Sequence, residues 1–143
     1  MKKIVCLLFL LITSLMQGQN SKVQKTIETF FEGFHAKDTV KIKSVCSDTM
    51  LLQSIAENAK EAKLSDESIK EFYTSIATIP ANFDFKEKIL SYSIQVDGAM
   101  AHAWTPYEFY MNGKLSHKGV NAFTLFKEND AWKIIYIIDT RRK

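Results

Sequence analysis

The chain has 143 residues, with 19 Lys or Arg against 16 Asp or Glu. That length suits one domain with a single core. The near balance of charge, with no basic stripe interleaved with aromatics, gives no case for nucleic acid as a partner.

Residues 1–18 read as a signal peptide. Lys2 and Lys3 form a basic start, Ile4 to Leu15 an apolar run, and Gly18 a small residue at a cleavage site, although Met16 departs from the usual small residue there. About a dozen apolar residues are too few to span a bilayer comfortably. The expectation is a domain over residues 19–143, exported to the periplasm or secreted, with no stable membrane span after cleavage. Loss of Lys2 and Lys3 brings the domain close to neutral, and loss of Cys6 leaves Cys46 alone, so no internal disulfide can form.

The first element of the domain is a helix from Ser21 to Ala36, with Val23, Ile27, Phe30, Phe31 and Phe34 at helical spacing. Gly33 weakens it but lets another backbone come close. His35 sits at the helix end, where an imidazolium suits the dipole. Asp38 or Thr39 caps a short second helix carrying Val40, Ile42 and Val45. Asp48 to Ile55 fits a strand, and the polar run from Glu57 to Lys63 reads as a solvated loop. Ser65 or Asp66 opens a third helix, with Ile69, Phe72, Tyr73, Ile76 and Ile79 as its stripe, and Pro80 ends it.

Phe83 to Val96 reads as one long strand, turning at Asp97-Gly98. A two-residue turn there sets Tyr92 and Ile94 beside the alanines that follow; a three-residue turn with a bulge sets them on the other side. Asn112-Gly113 between two β-rich runs is the strongest hairpin signal in the chain, because both central residues of a type I′ turn need φ > 0. Counting back from it pairs Glu108 with His117, Trp104 with Asn121, His102 with Phe123 and Met100 with Leu125, all on one face with Tyr110 and Leu115. A turn near Asn129 pairs Lys127 with Trp132 and adds Ile134, Tyr136 and Ile138 to that face. The opposite face collects Ala99, Ala101, Ala103, Thr105, Tyr107, Ser116, Lys118, Val120, Ala122 and Thr124. The aromatic face is expected to look inward, toward the helices; a slip of one residue or a bulge at Pro106 would invert part of the assignment.

The element order resembles the nuclear transport factor 2-like superfamily. The residues that carry the likeness are Phe30-Phe31 through Phe34 with Asp38, the hairpin Val96-Asp97-Gly98-Ala99-Met100-Ala101, and the ending Asp130-Ala131-Trp132-Lys133-Ile134. More narrowly, Trp104 to Tyr110, Ser116 to Asn121 and Asp139-Thr140-Arg141-Arg142 resemble its exported, lumazine-binding branch. The resemblance implies an α+β fold of the cystatin-like type, a cone of bent antiparallel sheet closed by three helices from the N-terminal half. It also implies dimerisation through the sheet. Enzymes of the superfamily place an acidic base and a Tyr or Asp donor inside the cone. By the register above, Asp139 and Tyr107 lie on the wrong face for those roles; Tyr110 and Tyr136 lie on the right one and offer a donor, but no acidic base is in place, which counts against a simple isomerase.

The candidate ligand-binding residues are Trp104, His117, Asn121, Tyr136, His102 and Tyr110. Glu108 opposite His117 would hold the imidazole in one tautomer, as a general base requires. Asn121 beside Trp104 would offer amide hydrogen bonds to a planar molecule stacked on the indole. The histidines lack tight metal-ligand spacing, so neither a metal nor another cofactor is expected. Three functions stay open: a small-molecule binder, a lyase or isomerase using His117 and Glu108, and a non-catalytic structural or interaction module whose cone its own side chains fill.

Overall fold

The structure, a computed structural model, describes the backbone of residues 2–143 and the side chains of residues 17–143. The leader expected over residues 1–18 therefore falls almost wholly outside the described side chains. Among the described residues no helix is long and apolar enough to cross a membrane.

Helix α1 (Lys2–Ala36) buries Val23, Ile27, Phe30 and Phe31. It ends as a Schellman turn: Lys37 takes φ 58°, its N–H donates to the Phe34 carbonyl, and the Asp38 N–H donates to that of Gly33. A lysine is tolerated in this left-handed position because its ammonium reaches the carbonyls of Pro80, Ala81 and Phe83. Asp38 then caps α2 (Thr39–Val45), accepting from the Lys41 N–H at 3.0 Å, as expected from sequence. Gly33 lets α2 approach: a Cβ there would lie 3.0 Å from the Ile42 nitrogen and 3.1 Å from the Asp38 oxygen.

The next segment departs from the expected loop. Strand β1 (Cys46–Glu57) turns back at residues 58–61 into β2 (Ala62–Glu67), with the Asn58 side chain accepting from the Lys60 and Glu61 N–H groups. Ser65 and Asp66 lie in β2, not at a helix start. The N-cap of α3 (Ile69–Thr78) is Ser68. Every residue of β2 is exposed, so no apolar alternation marked it as a strand. The expected single strand from Phe83 to Val96 is two, β3 (Phe85–Ile89) and β4 (Ser93–Asp97), both paired to the same edge of β5 (Met100–Met111). The two-residue form of the first turn holds, since Asp97 pairs with Met100 and Ile94 with Ala103.

Strands β6 (Lys114–Glu128) and β7 (Ala131–Arg142) complete an open, curved sheet in the order β2-β1-β7-β6-β5-β3, with β4 also on β5. Together with the three helices this is the expected α+β cone, except that β1 runs parallel to β7, so the sheet is mixed and not purely antiparallel. The Asn112-Gly113 turn forms as expected, with φ 47° and 74°. Two bulges then change which residues look inward. Tyr110 pairs with Leu115 but Phe109 with His117, leaving Ser116 extra in β6. Leu125 pairs with Ile134 but Thr124 with Tyr136, leaving Ile135 extra in β7. Each extra residue shifts the pairing by one and exchanges the faces beyond it.

The inward face of β5 is therefore the small one: Ala101, Ala103, Thr105 and Tyr107 are buried. Bulk comes instead from α1, whose Phe30 and Phe31 rings both meet the Phe123 ring edge-on, with centroids 6.1 and 6.0 Å away. Trp132, Ile134 and Ile137 of β7 close the core.

Candidate functional site

Between the sheet and the helices lies a cavity of about 80 Å³. Its apolar walls are Phe30, Phe31, Phe34 and Phe72 from the helices and Leu52, Phe123 and Ile137 from the strands. Phe72 stacks on Phe30 and Phe34, with interplanar angles of 6° and 8°, so α3 closes the cavity by ring stacking. The polar end is made by Glu67, Glu87, Asn121, Asp139 and Arg141.

These groups are tied together. Asn121, buried on β6, donates from Nδ2 to Glu87 Oε1 at 2.6 Å. Asp139 accepts from Arg141 Nε at 2.7 Å, and the Tyr107 hydroxyl lies 3.2 Å from the same carboxylate oxygen and 2.9 Å from the Thr140 carbonyl. Gly119 makes room for that hydroxyl, since a Cβ there would lie 1.7 Å from the Thr140 oxygen and 2.9 Å from Tyr107 Cε1. The Glu87 backbone is held from the helix side, its N–H donating to His35 Nε2 at 3.0 Å. His35 thus docks α1 onto β3 and does not cap its own helix. Burial, with help from the Lys86 charge, holds the His35 imidazole below its usual range, in keeping with an accepting neutral ring.

Burial pushes the Glu87 carboxyl up to about 7; the nearby Asp139 charge adds to the rise, while the Asn121 amide and Arg141 oppose it. Burial also raises the Tyr107 phenol, with the Asp139 and Glu87 charges adding to it, so its proton stays in place as a donor. An acid near neutrality beside an Arg-held carboxylate and a phenol donor can exchange a proton with a bound molecule.

Of the residues selected from sequence, Asn121 lies in this cluster. His117 is on the inward face but nearer the mouth, stacked on Phe109 at 4.8 Å with its Nδ1 3.2 Å from Ser116 Oγ. Burial, then the Arg141 charge, lowers its pKa. The expected Glu108–His117 pair does not form. Glu108 sits opposite Lys118 on the outer face, accepting from the Tyr110 hydroxyl at 2.8 Å and lying 3.9 Å from Lys118 Nζ. Trp104 pairs with Ala122 and His102 with Thr124, so both also face outward, Trp104 with 49% of its surface exposed. Tyr136 is outward too; its hydroxyl bonds Gln53 Oε1, and Gln53 Nε2 donates to Asp66 at 2.7 Å. The single cause is the pair of bulges at Ser116 and Ile135. Among the described residues no group of three His, Cys, Asp or Glu side chains could hold a metal ion.

Glu67, Glu87 and Arg141 were not among the residues selected from sequence, and Asp139 and Tyr107 had been set on the opposite face. A signal existed for Glu87: in Phe85-Lys86-Glu87-Lys88-Ile89 it shares a face with two apolar residues, where a charge needs a reason.

No family model and no curated protein matches the chain. Solved structures do match. An NTF2-like protein of unknown function from Shewanella baltica superposes with a TM-score of 0.64 at 15% identity, covering 88% of this chain and 95% of that one. The chain has the nuclear transport factor 2-like fold. Two further structures of this kind carry a described activity. A proposed dehydratase of the NTF2-like family from Streptomyces avermitilis gives a TM-score of 0.66 at 15% identity, covering 89% and 98% of the two chains. The beta subunit of a proposed aromatic-ring-hydroxylating dioxygenase from Novosphingobium aromaticivorans gives 0.71 at 13%, covering 90% and 92%. At these identities the NTF2-like fold is what the likeness establishes.

Proposed function

We propose that the protein binds a small molecule, planar or apolar for most of its length, in the cavity between sheet and helices. The observation that carries this is the convergence of Glu87, Asn121 and Asp139, from β3, β6 and β7, on one end of a cavity whose apolar walls are mostly aromatic rings. Few, convergent polar groups in an apolar pocket fix a ligand's orientation. Room for about half a dozen water-sized spheres, at roughly 10–15 Å³ each, limits the enclosed part to about one ring. A heterocycle of the lumazine kind would keep part of itself at the mouth, near His117. Export through residues 1–18 belongs to the same reading. So does pairing of two copies across the outer sheet face, where Met100, Trp104 and Phe126 are exposed.

A second reading, an acid–base enzyme, is favoured by the Glu87 carboxyl held at about 7 beside Asn121. In it Glu87 takes the role expected of His117 with Glu108, and Tyr107 or Asp139 orients the substrate.

A thermal-shift screen against small aromatic and heterocyclic metabolites tests the binding reading, with Asn121→Leu as the site control. The expected result is a compound that stabilises the wild type and not the variant. Hits that stabilise both proteins equally would place binding elsewhere.

A further inference from the structure

Arg141 borders two spaces. Its side chain lines the cavity and also a wider groove of about 620 Å³ at the open end of the cone, formed by residues 56–59 at the end of β1 and the start of the following turn, His117 and Lys143. Inward positions grade toward this groove. Along β7 they run Ile137, Asp139, Arg141; along β6 they run Phe123, Asn121, Gly119, His117. Apolar surface lies deep, hydrogen-bonding groups sit midway, and cations stand at the mouth.

The charges at the mouth are unevenly matched. Glu57, the acidic residue of the groove, is held by Arg142 at 3.1 Å. Arg141 gives its Nε to Asp139, and among the described residues neither of its terminal Nη atoms has a protein acceptor. The end-on fork of a guanidinium has the geometry for a planar two-oxygen acceptor. Lys143 lies on the same groove. The carboxylates deeper in are poor obstacles to an anion here: Asp139 is already compensated by Arg141, Glu87 is partly protonated near neutrality, and burial raises the Glu67 carboxyl as well, against the pull of Arg141.

We propose that the ligand is an amphipathic carboxylate, its apolar part in the cavity and its carboxylate in the groove against the Nη fork of Arg141, with Lys143 adding charge. This rests on the binding reading above and narrows it to a chemical class.

Phenylacetate and 2-phenylethanol share a ring and differ in charge, so titration calorimetry with the two probes separates the claims. Phenylacetate is expected to bind the wild type at least about tenfold more tightly, the range of one charge-assisted hydrogen bond. Arg141→Gln should erase that preference, and Lys143→Gln should reduce it in part. If the alcohol binds as well as the acid, or Arg141→Gln weakens both alike with an unchanged melting temperature, the anionic end is wrong and the pocket reading stands. If neither probe binds and the protein from its own host carries no small molecule, both fall together. Should Arg141→Gln lower the melting temperature, Lys143→Gln alone decides: no loss of preference would overturn the groove assignment.

Discussion

Glu87→Gln should make the protein more stable at pH 8 and change little at pH 4. The Glu87 carboxyl is raised from 4.5 to about 7 in the folded state, chiefly by burial. Its folded pKa lies above its unfolded one, so the native state holds the proton more tightly. The resulting stability is fully present below about pH 4.5, falls as the unfolded chain ionises, and is gone once the pH passes about 7. At about 1.36 kcal/mol per pKa unit, the shift amounts to about 3 kcal/mol. Glutamine copies the neutral acid, and its amide oxygen can still accept from Asn121. Urea denaturation of wild type and variant at pH 4, 6 and 8 gives the difference directly, with other titrating groups cancelling. The variant should match the wild type at pH 4 and exceed it at pH 8 by up to about 3 kcal/mol, on the order of 10 °C in Tm for a domain of this size. A variant no more stable than wild type at pH 8, with a parallel pH profile, would refute a desolvated carboxyl at this position.

Gly119→Ala should cost about 3 kcal/mol, the upper range for overpacking, because the new methyl meets the backbone of Thr140 and not a flexible side chain. Gly98→Ala, where φ is +58° but the space is open, should cost only about 1 kcal/mol; equal losses in denaturant melts would contradict the close approach of β6 and β7. Trp132→Ala should cost about 3–5 kcal/mol, since the ring is 4% exposed in the core. Trp104→Ala on the outer face should cost well under half of that in the monomer and act mainly on self-association, read by sedimentation velocity at two concentrations. A large concentration-independent loss would place Trp104 in a core.

The architecture was legible because its signals are local. The Phe stripe of α1, the Asp38 cap, Pro80 and the Asn112-Gly113 turn each have a short-range cause, and each falls where it was read. Facing was less legible because it is cumulative. One extra residue at Ser116 and another at Ile135 exchange faces, and neither carries a glycine or proline to mark it. In β7 the run Ile134-Ile135-Tyr136-Ile137-Ile138 is apolar on both sides, so no alternation reveals where the register moves. In β5 the eye follows size and puts Trp104 inside. Packing goes the other way: Phe30 and Phe31 bring the bulk from α1 and leave alanine-sized room at positions 101 and 103. Asn121 was found because its strand keeps one parity from His117 to Leu125. Asp139 and Tyr107 were noticed and assigned to the wrong side for the same reason that Trp104 and His102 were assigned to the inside.

The most direct test is native mass spectrometry of the protein purified from its own host, followed by denaturation and identification of what is released. A stoichiometric small molecule, released from the wild type and absent from the Asn121→Leu variant, is the predicted result. A wild-type protein that flies at its bare mass, and whose cavity admits neither phenylacetate nor 2-phenylethanol in solution, would contradict it and leave a cone filled by its own phenylalanines.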